Sequence, residues 1–306
     1  MKSGKVGTMF KRGLGAILSV LAVLTGGATL AVAADIPVSS RSLTVWNKLQ
    51  TPLQRDLNAM GLGLGDPIFI RVFKHSAELE IWVEKASGRY VHFRTYEVCK
   101  YSGKLGPKLQ RGDRQAPEGF YFVTADQLNP NSNFHLSFDL GFPNPYDRGL
   151  GRTGGNLMIH GDCVSTGCYA MTDEGIEEIY SLTKAALRSG QDSIPVHVFP
   201  FRMTDRAMAR FRRSEWSDFW LNLKQGYDQF ERDHTPPLIA VASNRYIVGS
   251  GKRMANVGGR LATLTTDETE ELARGVAARA NVAPVPAASV GTPALRDSSF
   301  VDWGDD

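Results

Sequence analysis

Residues 157–172 read Leu-Met-Ile-His-Gly-Asp-Cys-Val-Ser-Thr-Gly-Cys-Tyr-Ala-Met-Thr. A strand-like apolar run ends on His160, a loop of small polar residues follows, and Cys168 stands directly after Gly167. Such a pattern suits acyl transfer through a thiol. A free thiol is only a few per cent ionised near neutrality, so a base must help form the thiolate. His160 is the candidate base. Either the Gly161 carbonyl or the Asp162 carboxylate can hold its ring in one tautomer. Gly167 lets the backbone turn so that its own N–H and that of Cys168 face a substrate oxyanion. Ser165 either steadies the loop or adds a hydrogen bond.

Rival readings of these residues are concrete. Cys168 can be an inert buried thiol, but a Gly-Cys loop beside a histidine is poorly suited to that. His160, Cys163 and Cys168 can also be metal ligands, with His135 or His197 as a fourth. Structural zinc sites pair ligands two to four residues apart, and only His160 and Cys163 do so; no metal is therefore expected. His75, His92 and His234 read as surface or strand-face residues. The chain has three cysteines, and an odd count fits at least one free thiol. Cys163 pairs with Cys99, pairs with Cys168, or stays free; the sequence leaves all three open.

The elements that must position this loop are mostly strands. Ile68, Ile70 and Val72 alternate with Phe69, Arg71 and Phe73, and Leu79, Ile81 and Val83 alternate with more polar neighbours. A third run covers 90–96, and further strands are expected at 120–123, 134–140, 157–160 and 194–199. Short strands separated by turn residues predict a mainly β domain, a largely antiparallel sheet or sandwich, with α additions. Helical spacing appears at 44–60, where Pro52 is expected to break or restart the helix. A second helix runs from a Thr172 or Asp173 cap to Gly190, burying Ile176, Ile179, Thr183, Ala186 and Leu187. The aromatics of 204–233 sit at helical spacing and read as core rather than a sugar platform.

The two ends differ in kind. Lys2, Lys5, Lys11 and Arg12 precede an apolar run from 14 to 33 that closes on Ala31-Val32-Ala33, the pattern of a cleaved export signal over 1–34. An uncleaved membrane anchor is the alternative. Those 34 residues carry four basic residues and no acid, so their removal turns the formal charge of +3 into about −1. The basic balance is then no argument for nucleic acid, and no nucleic-acid partner is expected. An exported chain would live where disulfides persist. From about 250 the composition becomes Ala/Pro/Val-rich, predicting a flexible tail with one short helix at 266–280.

The loop resembles the catalytic domain of the L,D-transpeptidase (YkuD-type) family, and specifically its YafK-like branch. The matching residues are Ile159-His160-Gly161, Cys163-Val164-Ser165, and Gly167-Cys168-Tyr169-Ala170-Met171-Thr172-Asp173. Ala116-Pro117-Glu118-Gly119-Phe120-Tyr121, Asn144-Pro145-Tyr146-Asp147-Arg148 and Gly151-Arg152-Thr153-Gly154 support it. The resemblance covers about 66–204 and implies a β-sandwich catalytic domain with flanking helices, no cofactor, and a peptidoglycan stem peptide containing meso-diaminopimelate as substrate. Around it lie an N-terminal helical segment (35–65), a helical C-terminal extension (205–249) and the tail (250–306). Arg148 and Arg152 are candidate binders of diaminopimelate carboxylates or partners in surface salt bridges. Tyr146 and Tyr169 either line the cleft or pack beneath it. Thr166 stands where the wider family has a second histidine, and the His-to-Cys spacing is short. Both departures fit the YafK-like branch, for which the resemblance implies periplasmic hydrolysis of the link between peptidoglycan and a tethered outer-membrane lipoprotein. The wider family instead forms crosslinks or such tethers. A non-catalytic peptidoglycan-binding module is the rival from another class.

Overall fold

A computed structural model describes Met1, residues 36–249 and the two residues 262–263. The expected export signal and most of the expected tail, including its helix at 266–280, lie outside these residues. Among the described residues no helix is long and apolar enough to cross a membrane.

Helix α1 (Ser40–Asn58) opens on a capping box in which Ser39 and Ser42 each accept the other's backbone N–H. It runs straight through Pro52. The expected break does not occur, because Val45, Leu53 and Leu57 are buried on both sides of the proline. Packing of that stripe against helix α3 (Asp173–Arg188) outweighs the loss of one helical hydrogen bond. Helix α3 is capped by the Thr172 side chain, which accepts from the Gly175 N–H, and it buries all five residues of its expected stripe.

Two five-stranded sheets carry the rest. The first orders β3 (Tyr90–Glu97), β2 (Glu78–Glu84), β1 (Ile68–Phe73), β10 (Ile194–Phe199) and β5 (Gly119–Val123). The second orders β4 (Lys100–Tyr101), β9 (Tyr169–Ala170), β8 (Met158–His160), β7 (Ser137–Asp139) and β6 (Leu128–Asn129). Most pairings are antiparallel, but β1 with β10 and β8 with β9 run parallel. The sheets are therefore mixed, with α3 making the crossover from β9 to β10. The strand expected at 134–140 shrinks to three residues, since His135 takes a left-handed conformation at φ 64°.

Strand β1 shows why the first sheet is central. Ile68, Ile70 and Val72 join residues of the second sheet, α1 and α3 in one buried cluster. Phe73 on the opposite face joins Phe120, Phe199, Trp220, Leu223, Tyr227 and Tyr246 in another. With both faces covered, every residue of β1 is buried. The second face is covered by α4 (Asp205–Arg210), α5 (Ser217–Asp233) and the hairpin of β11 (Leu238–Ala242) and β12 (Arg245–Gly249). The segment 205–249 is thus not helical throughout. Its hairpin turns on Ser243 and Asn244, both left-handed, and β13 (Ala262–Thr263) adds to β11. The single helical stretch expected at 204–233 is divided. In one continuous helix Phe211 and Trp220 would lie on opposite sides, roughly 13 Å apart along the axis. The break brings their ring centroids to 6.0 Å.

A buried ion pair ties these layers together. Lys74 Nζ lies 3.1 Å from Glu118 Oε1, and both side chains are fully buried. Lys74 also donates to the carbonyls of Lys104, Gly106 and Ala116, while Glu118 accepts from the Gly106 N–H and from Trp220 Nε1. Burial pushes the Lys74 ammonium below its ordinary range, against the pull of Glu118. Removing one partner of such a pair leaves an uncompensated buried charge. Glu118→Gln is expected to lower unfolding free energy by about 3–5 kcal/mol at neutral pH. Because the folded state then holds the Lys74 proton less tightly than the unfolded chain, the deficit should shrink as pH rises. Urea midpoints at pH 7 and pH 9 check both claims, and a loss under about 1 kcal/mol would remove the pair from its structural role.

Candidate active site

The second sheet brings the candidate residues together by register. Ser137 pairs with His160 and Asp139 with Met158 across β7 and β8, while Ile159 pairs with Tyr169 across β8 and β9. Side chains alternate, so Ser137, Asp139, Met158, His160 and Cys168 share one face. Cys168 falls beside Met158, whose N–H donates to the sulfur at 3.4 Å. The thiol is directed at the Asn156 carbonyl oxygen, 3.7 Å away. Two residues along the neighbouring strand put the Cα atoms of His160 and Cys168 roughly 8 Å apart, within reach of facing side chains.

His160 is buried, with the Phe134 ring 4.8 Å from its own between centroids. Its Nδ1 lies 2.6 Å from the Gly161 carbonyl oxygen. A carbonyl only accepts, so Nδ1 carries the proton and Nε2 of the neutral ring keeps its lone pair. Of the two groups expected to orient the ring, the carbonyl does so and the Asp162 carboxylate acts only through its charge. Burial pushes the imidazolium form down; the Gly161 hydrogen bond and Asp162 offset part of this. Burial also pushes the Cys168 thiol up, and Asp139 adds to the shift, while the Met158 N–H and Lys108 oppose it. Both effects favour a neutral thiol beside a neutral imidazole at rest.

Close contacts shape the connecting loop. A Cβ on Gly161 would lie 2.5 Å from Asp173 Oδ1 and 3.0 Å from the Cβ of His135, so only glycine fits there. Asp162 and Cys163 follow in left-handed conformations, and the Asp162 N–H is held by Asp173 Oδ1 at 2.9 Å. Cys163 forms a disulfide with Cys99, their Cα atoms 5.4 Å apart, which leaves Cys168 free. Ser165 is a loop brace. Its hydroxyl donates to the Cys168 carbonyl at 2.7 Å, accepts the Gly167 N–H at 3.3 Å, and meets Ser102 at 3.1 Å. Gly167 sits at φ 127°, but its N–H is directed at Ser165 rather than towards an incoming oxyanion.

Two expected ligand contacts are corrected. Arg152 is buried, 2.8 Å from Asp147 Oδ1 and over the Tyr146 and Phe219 rings, so its charge is held inside the fold. Tyr169 is fully buried and donates to the Pro117 carbonyl at 2.6 Å, supporting the cleft from beneath. Tyr146 likewise packs below, stacked on Tyr246. Arg148 is exposed, donates to the Pro143 carbonyl, and lines a groove of about 790 Å³ together with Asp139, Asn144 and Met158. Asp139 was not among the sequence candidates. No group of three or more His, Cys, Asp or Glu residues among the described ones could hold a metal. His135 is bonded instead to Glu177, and His197 is buried among Phe69, Phe120 and Phe199.

Comparison with known proteins agrees with the resemblance seen in the loop. A family model described as the L,D-transpeptidase catalytic domain (YkuD) matches residues 80–198. The Escherichia coli K12 protein named "Putative L,D-transpeptidase YafK" is 49% identical over 185 residues, 60% of this chain and 75% of that one. The helical cell shape determining protein Pgp2 of Campylobacter jejuni has 18% identity and a TM-score of 0.37, covering 61% of this chain and 77% of its own. Bd1075 of Bdellovibrio bacteriovorus has 20% identity and a TM-score of 0.31, covering 54% and 62%. At 49% identity over a stretch that covers three quarters of YafK, the chain belongs to the L,D-transpeptidase (YkuD) family.

Proposed function

We propose that this chain is an exported, periplasmic cysteine enzyme that acts on peptidoglycan stem peptides through a thioester on Cys168. The observation that carries this reading is the shared sheet face of Cys168 and His160, with the imidazole tautomer set by Gly161. Cys168 Sγ attacks the diaminopimelate carbonyl carbon while His160 Nε2 takes the thiol proton. The collapsing intermediate expels the amine, which receives that proton from His160. Water then attacks the thioester carbon, giving its proton to His160, and the thiol leaves protonated. With Gly167 N–H engaged by Ser165, the Cys168 N–H is the proposed oxyanion donor. The Cys99–Cys163 disulfide supports an oxidising compartment.

Hydrolysis of the diaminopimelate link between peptidoglycan and an attached outer-membrane protein is the preferred reaction. Thr166, exposed in place of the family's second histidine, and the short loop favour water over an amine as acceptor. The name of the Escherichia coli relative favours the second reading, transpeptidation, which shares the thioester and differs only in what resolves it.

Sacculi carrying covalently bound lipoprotein are expected to release it on incubation, with little exchange when a free D-amino acid is added. Mass analysis showing exchange products or new diaminopimelate crosslinks, with the lipoprotein still bound, would favour transpeptidation. Cys168→Ala should abolish turnover without unfolding the protein, and His160→Ala should slow it by roughly two to four orders of magnitude. Full activity in Cys168→Ala would remove the thioester from the scheme.

The resting state makes a separate expectation. In the free enzyme, iodoacetamide alkylation of Cys168 should rise with pH and reach its midpoint above the ordinary thiol range, because burial raises the thiol. A rate already at its plateau near pH 6 would instead indicate a preformed thiolate–imidazolium pair. Mass spectrometry of timed aliquots separates the two.

A further inference from the structure

The groove lined by Met158, the residue hydrogen-bonded to Cys168, holds Asp139, Arg148 and the exposed Asp126, none of them in an ion pair among the described residues. Asp139 is half-buried on β7, its Oδ1 accepting the Gly141 N–H at 2.7 Å. Among the described residues no cation lies within ion-pair distance of it. Arg148, exposed at the end of α2 (Pro145–Gly149), has only the Pro143 carbonyl and no carboxylate partner among those residues. The two do not pair with each other, yet both line the same groove, and Met158 of that groove bonds the Cys168 sulfur. Burial raises the Asp139 carboxyl, a cost that a bound cation would offset.

We propose that this groove is a subsite for a zwitterion, Asp139 receiving an ammonium and Arg148 a carboxylate. This rests on the reading of Cys168 as the acylated nucleophile, and it identifies the group recognised as the free D-centre of meso-diaminopimelate. That centre carries one amine and one carboxylate on the same carbon. The dimensions fit. Five carbon–carbon bonds separate the acyl carbon from the D-centre, roughly 6 Å when extended. Cys168 and Asp139 stand two strands apart, so their Cα atoms are roughly 10 Å from each other. Both side chains stand off the same sheet face, so their tips stay roughly that far apart, and the thioester bond at one end and the ammonium hydrogen bond at the other make up the rest of the span. A lysine side chain would supply the ammonium alone, and a diaminopimelate amidated at the D-centre would lose the carboxylate charge. Each leaves the exposed Arg148 guanidinium without its carboxylate, a modest loss, whereas a D-centre stripped of its ammonium leaves the half-buried Asp139 unmatched.

Binding and turnover test the subsite separately. Full-length Cys168→Ala protein is titrated by calorimetry with three tripeptides: free at the D-centre, N-acetylated there, and amidated there. The free peptide should bind best; N-acetylation should weaken it roughly tenfold or more, and amidation by less because Arg148 is exposed. Asp139→Asn should weaken the free peptide by a similar factor yet leave the N-acetylated one unchanged, and Arg148→Gln should behave likewise towards the amide. Turnover by Cys168-containing protein, with and without Asp139→Asn, is then measured on the corresponding peptides that carry an amine joined to the L-centre carboxyl. Asp139 also raises the thiol, so Asp139→Asn can alter kcat for every substrate, whereas the subsite effect appears in KM for the free D-centre alone. Equal binding of all three peptides, or equal loss across them in Asp139→Asn, would overturn the subsite while leaving the nucleophile intact. Selective binding without any turnover would overturn the proposed reaction and keep the subsite.

Discussion

The buried contact between Lys74 and Glu118 is the point on which the rest of the molecule depends. A fully desolvated ammonium is tolerable only with several acceptors around it, and here three carbonyls and one carboxylate surround Nζ. Those carbonyls come from Lys104, Gly106 and Ala116, so satisfying one charge forces the long segment between β4 and β5 to fold over the end of β1. Glu118 in turn takes the Trp220 indole N–H, which draws α5 onto the opposite face of the sheet. One ion pair thus aligns the loop beneath the thiol with the C-terminal cover.

That loop matters because it supplies the floor and one wall of the candidate site. Tyr169 reaches the Pro117 carbonyl from directly behind Cys168, and Ser102 meets the Ser165 hydroxyl that braces the Cys168 carbonyl. Lys108, held by Asp113 and the Gln110 carbonyl, opposes the upward push that burial and Asp139 exert on the sulfur. Residues from both halves of the chain therefore surround the thiol. Neither half contains the site alone.

Much of this was legible in the residues. Alternation located β1, β2 and β3, and capping residues bounded α3 closely; α3 buries one clear stripe, whereas β1 is covered on both faces. His160 and Cys168 were found from local spacing and the family resemblance. What escaped depends on partners distant in sequence. The two-residue strands β4, β6 and β9 are too short for periodicity, and only their neighbours make them strands. Asp139 looked like one polar position in an apolar run; its importance comes from the β7–β8 register, which no local pattern encodes. Arg152 and Tyr169 looked available to a ligand, yet Asp147 and the Pro117 carbonyl had already claimed them. Pro52 misled for a related reason, since its cost is local and the packing that outweighs it is not.

The disulfide between Cys99 and Cys163 makes the order of folding and oxidation consequential. In an unfolded chain Cys163 is five residues from Cys168 but 64 from Cys99, and short loops close more readily than long ones. Oxidation before collapse would therefore favour a small ring between Cys163 and Cys168, consuming the thiol proposed as nucleophile. Once β4 has paired with β9, Cys99 is held beside Cys163 and the correct bond becomes the near one. A chain that matures outside the reducing cytosol must reach that topology first, or rely on thiol exchange to escape the short ring.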